Sequence, residues 1–415
     1  MTASLFSTLF VLAVAFSVVV RVWLALRHLR HVAAHRDAVP AAFGGSIELS
    51  AHRKSADYTI AKLKLGLVEL AIGTAWLLWL TLGGGLQAMA TLGASIHADP
   101  GILAGLLLFG ILAIAGFIID LPSTLYRVFG LEGRFGFNRM TLRLFITDTL
   151  KQGVLALLIG APLLAVVLWL MTAAGENWWI WAWAFWLGVN LAGMVIYPIF
   201  IAPLFNKFEP LADASLAERV NALLNRCGFR SKGLFVMDGS RRSAHGNAYF
   251  TGFGAGKRIV FFDTLIKSLQ PAEIEAVLAH ELGHFRHRHL WQRLAIVALL
   301  SFALLALLGW SSSQMWFYNG LGLQAPSPAG ALILFSLALP VLLFPFSPLM
   351  SMWSRKHEFE ADAYAASHAS AHDLVSALVK LYRDNASTLT PDPLYSLFYD
   401  SHPPAAIRIA RLQAA

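Results

Sequence analysis

The chain has a single cysteine, Cys227, and few charged side chains: 13% of its 415 residues are Asp, Glu, Lys or Arg, whereas 57% are hydrophobic. One cysteine excludes an intramolecular disulfide and, alone, makes a poor metal site. Soluble domains carry about 25% charged and about 45–50% apolar residues. Together with a mean hydropathy of +0.61, this composition predicts a mainly α-helical, polytopic membrane protein.

Seven apolar segments are long enough to cross a membrane, which takes roughly 20 residues per helix. The first has no small-residue cleavage site on its far side, which predicts a retained span rather than a signal peptide. Glu69 and Arg21 lie within two of the segments. Ionisable groups at that depth usually face a polar cavity or a partner, although Arg21 could also snorkel from its helix end. The segments cover residues 4–26, 66–86, 101–119, 153–172, 178–201, 290–310 and 330–350.

The basic charge is concentrated in alternate loops. Residues 27–65 contain seven Lys and Arg, and residues 120–152 contain five. The loops 87–100, 173–177 and 311–329 contain none. By the positive-inside rule, the amino terminus lies outside and the carboxyl terminus lies in the cytoplasm. The net charge of +8 is therefore a topology signal, and nucleic acid is excluded as a partner.

Two polar segments remain, residues 202–289 and 351–415, and both fall on the cytoplasmic side. In the first, ASLAERVNALLNRCGF is typical of an amphipathic helix, and GLFVMDG and RIVFFDTLI are typical of strands. NAYFTGFGAGK indicates another strand and a Gly-rich turn, so a small β-sheet is expected. The chain thus divides into five spans, the first part of a cytoplasmic domain, two further spans and the second part of that domain: 1–201, 202–289, 290–350 and 351–415.

The sequence HELGH, residues 280–284, has the spacing of a metal site. Pro271 and the acidic residues after it mark a helix start, and on that helix His280 and His284 share one face, so both imidazoles can reach one ion. Glu281 lies beside them, placed to take a proton from the attacking water. Zinc accepts imidazole and carboxylate ligands and lowers the pKa of water towards neutrality. With 14 histidines in the chain, a lone match can also arise by chance.

No Gly or Pro occurs between Phe285 and Leu308. We therefore expect the metal-binding helix to continue into the sixth span.

A catalytic zinc needs a third protein ligand and an open position, and the candidate lies past the seventh span in SRKHEFEADAYAASH. Glu358 and Asp362 lie four residues apart on one helix face. We assign Glu358 as the third ligand and Asp362 as the carboxylate that orients a ligating imidazole. Helical geometry alone would not exclude Glu360. The remaining polar side chains are interpreted as a solvated, charged surface: His287, His289, His357 and Glu360.

A further motif, DSHPPAAIRIARL, lies near the carboxyl terminus. Its two prolines hold His402 on a rigid extended turn. From there His402 could donate a hydrogen bond to the oxyanion of a tetrahedral intermediate, and Arg408 could assist it or clamp a substrate carbonyl. From spacing alone, a capped helix start is the better explanation of the same residues.

These motifs resemble those of the type I CAAX prenyl endopeptidases, which are integral-membrane zinc metalloproteases of the gluzincin kind. HELGH, SRKHEFEAD, NAYFTG and SHPPAAIR carry the resemblance, and LYRVFGLEGRFGFNRMT and YPIFIAPLFNKFEPL extend it over most of the chain. It implies seven transmembrane helices that enclose a water-filled chamber. One zinc ion (Zn²⁺) per chain would face the chamber near its cytoplasmic side.

The resemblance also implies roles for individual residues. It selects Glu358 over Glu360 as the third ligand and matches His402 and Arg408 to the family's transition-state residues. His245 falls in the loop beside a strand that would hold the substrate backbone as an added strand. The residues of that substrate-binding segment are Asn247, Ala248, Tyr249 and Phe250.

The sequence therefore predicts a zinc-dependent membrane endopeptidase that acts on a peptide or protein substrate, embedded in membrane lipid, with Glu281 as its base. Two alternatives stay open: a soluble-type metalloprotease tethered to lipid, and a non-enzymatic zinc sensor or transporter, which would not need Glu281 beside its ligands. No motif specifies an oligomeric state.

The resemblance implies removal of carboxyl-terminal tripeptides from prenylated proteins. The chain ends in RIARLQAA, without an endoplasmic-reticulum retrieval signal. This ending favours a bacterial inner-membrane homologue, for which general quality control of membrane proteins is the alternative role.

Overall fold

The computed structural model describes residues 1–251 and 258–414. Within these ranges seven helical stretches are long and apolar enough to cross a membrane, which confirms the seven predicted spans. Most are longer than their apolar cores, because the helices continue into polar sequence. The seven stretches are Ala3–Ala34, Leu49–Thr81, Ile102–Phe135, Leu142–Ala173, Gly175–Phe205, His289–Ser311 and Pro328–His368.

Short π-helical segments interrupt three of the spans. A proline lies in or within four residues of each segment, and proline breaks the regular i→i−4 ladder because it has no N–H group. The π segments are Tyr126–Glu132, Ala156–Gly160 and Tyr197–Ile201. The helices of this half are α1 Ala3–Ala34, α2 Leu49–Thr81, α3 Gly85–Ile96, α4 Ile102–Leu125, α5 Gly133–Phe135, α6 Leu142–Leu155, α7 Ala161–Ala173, α8 Trp178–Ile196 and α9 Ala202–Phe205.

The two ionisable residues predicted inside spans have partners within the protein. Glu69 on α2 forms a salt bridge with Arg127, which lies in the π segment after α4. The Arg21 guanidinium lies 4.0 Å from the centre of the Phe344 ring, and its Nε donates to Ser17 Oγ at 3.1 Å. Both side chains therefore contact protein groups at membrane depth.

The second half of the chain packs helices against one small sheet. The strands are β1 Phe208–Pro210, β2 Leu234–Met237, β3 Ala248–Thr251 and β4 Arg258–Phe262. Their order among the described residues is β1-β2-β4-β3, with β2 parallel to β4 and both outer strands antiparallel to their neighbours. Three strands confirm the predicted ones. The three-residue β1 was not predicted, since Glu209 and Pro210 give no strand pattern. The predicted Gly-rich turn after β3 lies outside the described residues.

The helices of this half bury their apolar faces against the sheet and one another. Val220, Phe261 and Leu282, from a helix, the sheet and the HELGH helix respectively, belong to one buried cluster. The helices are α10 Ala214–Arg226, α11 Asp263–Ser268, α12 Pro271–Arg286, α13 His289–Ser312, α14 Met315–Gly320, α15 Pro328–Leu343, α16 Ser347–His368, α17 Ala371–Asp384, α18 Pro393–Tyr399 and α19 Ala405–Gln413.

The predicted continuity between the HELGH helix and the sixth span is wrong. The HELGH helix, α12, ends at Arg286, and the sixth span, α13, begins at His289. Arg288 between them has φ of 58°, a left-handed conformation that breaks the helix and is unusual for a non-glycine residue. Contacts of His289 with His284 and Glu360 hold this corner.

The seventh span, rather than the sixth, runs almost directly into the polar domain that carries the site residues. Its helix α15 is joined to α16 by a single 3₁₀ turn, Phe344–Phe346, and α16 carries Glu358 and Asp362. The predicted boundary between residues 350 and 351 falls within α16.

Helices α12 and α16 cross closely at Gly283. A Cβ atom at this position would lie 2.8 Å from Ala361 Cα and 3.1 Å from Tyr364 Cβ, whereas carbon atoms in contact are normally about 3.5–4.0 Å apart. The absence of a side chain therefore permits this approach, which brings His280 and His284 next to Glu358.

Candidate active site

Three predicted metal ligands, carried by α12 and α16, converge on one point. His280 Nε2 lies 3.3 Å from His284 Nε2, and the carboxylate oxygens of Glu358 lie 3.5 Å and 3.4 Å from these two nitrogens. Ligands about 2.0–2.2 Å from a tetrahedral zinc ion are about 3.3–3.6 Å apart. The structure thus brings the three predicted ligands to the separations that one such ion requires.

The charge of the site also suits a cation. Oε2 of Glu358 is buried and accepts no hydrogen bond from any residue that the structure describes. Its nearest nitrogens, His280 Nε2 and Arg408 Nη1, both lie 3.5 Å away, at the outer limit for a hydrogen bond. A buried oxygen that accepts no hydrogen bond destabilises the folded chain by about 1–3 kcal/mol, or more when it is charged. A cation bound by Glu358 would remove this penalty.

Asp362 orients the first of the two imidazoles. Its Oδ1 lies 2.8 Å from His280 Nδ1, and Arg408 donates two hydrogen bonds to the same carboxylate, at 2.8 Å and 2.6 Å. Burial alone would lower the pKa of His280, but the hydrogen bond to Asp362 and the nearby Glu358 carboxylate outweigh it and raise the pKa to about 9. The ring therefore keeps Nε2 towards the ligand cluster, in a field that favours positive charge.

Arg408 lies behind the ligands and is only 5% exposed. Burial opposes its charge, but the hydrogen bonds to Asp362 outweigh burial and raise its pKa. Its Nη1 lies 3.5 Å from Glu358 Oε2. Two of its three nitrogens, Nε and Nη2, thus donate to Asp362, and Nη1 is the nitrogen directed at the Glu358 carboxylate.

A cavity of about 310 Å³ opens beside the cluster. His402 lines it with Nε2 3.4 Å from Glu358 Oε1, so the motif near the carboxyl terminus reaches the ligand cluster through α16. Tyr382 also lines the cavity and was not predicted; burial raises the pKa of its phenol, which therefore stays a neutral donor. Other walls of the cavity are formed by Gly246, Asn247, Ala248 and Glu281.

Of the predicted substrate-binding residues, Asn247 and Ala248 line the cavity. The next two contact protein groups: Tyr249 Oη lies 3.9 Å from Met237 Sδ, and the Phe250 ring packs edge-on against Phe285 with centroids 5.0 Å apart.

The loop before β3 is held by Asn385, which sequence reasoning missed. Asn385 Oδ1 accepts a hydrogen bond from Gly246 N at 3.1 Å and lies 3.2 Å from His245 Nδ1. The His245 ring stacks on Phe137, with centroids 4.5 Å apart. No local signal marks Asn385, because the segment DNAST is typical of a solvated helix end.

The interpretation of His289 and His357 as solvated surface is wrong. These side chains are 4% and 2% exposed, and their rings stack with centroids 3.8 Å apart and planes 7° apart. His357 lies on α16 beside Glu358, and His289 contacts His284 of α12.

A multispan membrane chain that presents an HExxH helix, a distant glutamate and a cavity beside them has the architecture of a membrane metalloendopeptidase. Comparison with known proteins identifies which kind. Residues 28–207 match the family described as "CAAX prenyl protease N-terminal, five membrane helices" and residues 210–415 match "Peptidase family M48". The chain belongs to peptidase family M48, as a membrane metalloendopeptidase of the CAAX prenyl protease type.

Individual relatives agree with this assignment. The chain is 40% identical over 70% of its length to a CAAX prenyl protease 1 homolog of Arabidopsis thaliana, of which 69% is covered. It is 37% identical over 78% of its length to CAAX prenyl protease 1 of Saccharomyces cerevisiae, of which 75% is covered. The crystal structure of S. mikatae Ste24p superposes with a TM-score of 0.91 at 32% identity, covering 99% of both chains.

These comparisons confirm the predicted fold class and enzyme class, and with them the multi-pass membrane character of the chain. They set aside the non-enzymatic sensor or transporter and the soluble-type enzyme tethered to lipid. Membership of a metallopeptidase family also implies a bound metal, and the cluster of His280, His284 and Glu358 could hold one.

Proposed function

We propose that this chain is a zinc-dependent endopeptidase that cleaves prenylated protein substrates near their carboxyl terminus. The observation that carries the proposal is the 3.3–3.5 Å separation of the ligand atoms of His280, His284 and Glu358. Imidazole and carboxylate donors at this spacing suit zinc. The relatives, CAAX prenyl protease 1 and its homolog, supply the substrate class by their names.

Side chains around the three ligands carry out proton transfer and stabilise the developing charge. The ion, when bound, supplies Lewis acidity towards a carbonyl and makes water a stronger acid. Glu281, on the cavity wall, takes the proton of the attacking water and returns it to the leaving amine. His402 and Arg408 donate to the oxyanion that develops on the scissile carbonyl.

The edge strand β3 provides a place for the substrate backbone. It is the last strand of the sheet that the described residues form, and Phe262 N donates to Asn247 O at 2.9 Å. In an antiparallel pair, the next residues alternate between facing the partner and facing away. The backbone groups of Ala248 and Phe250 therefore face the open edge, where an extended peptide can add as a further strand. His245 supports this strand through Asn385.

The proposed orientation places the amino terminus outside and the catalytic domain in the cytoplasm, and the uneven loop charges support it. The bacterial inner membrane remains a prediction, as does the four-part division of the chain.

The proposed orientation can be tested at Cys227, which is a partly exposed thiol of the catalytic domain and the only cysteine of the chain. We expect a membrane-impermeant maleimide to label it only after the cells are permeabilised. Labelling in intact cells would contradict the orientation.

The purified protein is expected to contain one zinc ion per chain and to cleave a farnesylated CAAX peptide. Chelation should abolish cleavage and added zinc should restore it, because the reaction depends on the ion that the three ligands hold. An unprenylated peptide of the same sequence should show at least about tenfold lower kcat/KM, equivalent to about 1.4 kcal/mol of lost binding in the transition state. Elemental analysis and product mass spectrometry measure both quantities.

A series of N-methylated peptides sharpens the experiment. A farnesylated peptide that is N-methylated at single backbone positions should lose turnover at alternate positions, because only alternate groups of an added strand face β3. Equal turnover of prenylated and unprenylated peptides would contradict prenyl specificity and indicate general proteolysis. A protein that contains zinc but cleaves neither peptide would contradict the proposed peptidase activity.

A further inference from the structure

His284, the second histidine of HELGH, contacts another histidine through the nitrogen that does not face the ligand cluster. Its Nδ1 lies 2.9 Å from His289 Nδ1, and the other ring nitrogen of His289, Nε2, lies 2.8 Å from Glu360 Oε2. His284, His289 and Glu360 thus form a continuous chain of hydrogen-bonding distances that leads away from the ligand cluster.

The direction of these hydrogen bonds follows from metal binding. If His284 uses Nε2 as a ligand, its Nδ1 carries the proton and must donate. His289 Nδ1 then accepts, so that His289 is the neutral tautomer with its proton on Nε2, and that proton is donated to the Glu360 carboxylate. All three groups are satisfied by a single arrangement of protons.

We propose that His289 and Glu360 are positioning residues that hold His284 in the orientation needed to bind the metal. This rests on the metal site of the proposed function. His280 has a direct carboxylate partner in Asp362, whereas the carboxylate for His284 acts through an intervening imidazole. Ligating histidines commonly donate their second N–H to such a partner, which fixes the ring and makes it a better ligand.

The packing around His289 fits a positioning role. Its ring is 4% exposed and stacks on His357, whose Nε2 lies 3.1 Å from Gln292 Oε1. Since His289 is the first residue of α13, these contacts also fix the corner at Arg288, which lies between the end of α12 and the start of α13. The left-handed backbone there turns the chain so that His289 returns to face His284.

A second metal site at this cluster is less consistent with the distances. His287, His289 and Glu360 are close enough to be considered, but the 2.8 Å between His289 Nε2 and Glu360 Oε2 is a hydrogen-bond length. Two ligands of one zinc ion would be about 3.3–3.6 Å apart. The rings of His287 and His289 are also nearly parallel, at 13° with centroids 5.5 Å apart, so their in-plane lone pairs do not converge.

The test compares zinc affinities of the full-length protein, measured by competition with a chromophoric chelator. His289→Phe keeps a flat ring against His357 but cannot accept from His284, and we expect about 10–100-fold weaker zinc binding. His289→Asn offers an amide oxygen near the position of Nδ1 and should retain affinity within a few-fold. His287→Phe, the matched control on an exposed neighbour, should leave affinity unchanged.

Glu360→Leu provides an independent variant. It should also weaken zinc binding, and adding it to His289→Phe should cause little further loss, because the two residues act through one chain of hydrogen bonds. The proposal is overturned if His289→Phe binds zinc as tightly as the parent. It is also overturned if His289→Phe and His289→Asn lose equal affinity, since packing would then explain the effect. A parent protein that binds no zinc would instead overturn the proposed function itself.

Discussion

Glu281→Gln is expected to retain bound zinc and to cleave the farnesylated peptide about 10²–10⁴-fold more slowly than the parent, the usual contribution of a positioned acid–base group. Glutamine has nearly the same shape as glutamate but cannot take a proton from water. Glu281 is not one of the three ligands that converge on α12 and α16, so the metal should remain. Initial rates and elemental analysis of the same preparation measure the two effects separately.

The matched control is Glu218→Gln, an exposed glutamate on α10, which should leave both the rate and the zinc content unchanged. Cleavage by Glu281→Gln at the parent rate would show that another group is the base. Loss of zinc together with activity would show that Glu281 supports the ligands rather than the reaction.

The membrane part of the fold was predictable because a bilayer imposes a simple rule. Roughly 20 consecutive apolar residues are needed per span, and the chain contains seven such runs, which match the seven spans. The helix ends were not predictable in the same way. The second span begins at Leu49, well before its apolar core, since polar side chains there are solvated or contact other protein groups.

The HELGH part of the site was predictable because its two histidines are neighbours on one helix. The third ligand was harder, since more than seventy residues separate Glu358 from His284 and helical geometry did not exclude Glu360. In the structure the Glu358 carboxylate lies 3.4–3.5 Å from both histidine Nε2 atoms, whereas that of Glu360 contacts His289. The assignment of roles to these residues remains a prediction.

The corner between α12 and α13 could not be predicted from local sequence. HFRHRHL contains no Gly or Pro, and the left-handed Arg288 is an unfavourable conformation for an L-residue with a side chain. Contacts made only in the folded protein stabilise it, above all those of His289 with His284 and Glu360. The same distant contacts explain why His289 and His357 were misinterpreted as solvated: nothing within a few residues reports their burial.

A substitution at the close crossing of α12 and α16 is also expected to have a large effect on zinc affinity and on the rate of cleavage. Gly283→Ala would place a methyl group 2.8 Å from Ala361 Cα and 3.1 Å from Ala361 O. Both are backbone atoms and cannot move aside as a flexible side chain would, so the helices must separate. Metal sites tolerate ligand displacements of only about 0.2 Å. We therefore expect zinc affinity to fall by more than about tenfold and the rate by about 10²-fold, as for a misplacement of about 1 Å.

The same substitution elsewhere separates this clash from any general effect of alanine. Gly66 lies on α2, where an added Cβ meets nothing within 4 Å, and Gly66→Ala should stabilise its helix by up to about 1 kcal/mol without changing zinc affinity. In contrast, Gly283→Ala should lose zinc to a competing chelator and unfold at a lower temperature, because overpacking typically destabilises by about 1–3 kcal/mol. Parent-like zinc affinity in Gly283→Ala would mean that the two helices can separate without moving Glu358 from the histidines, and the crossing would then not be what holds the ligands together.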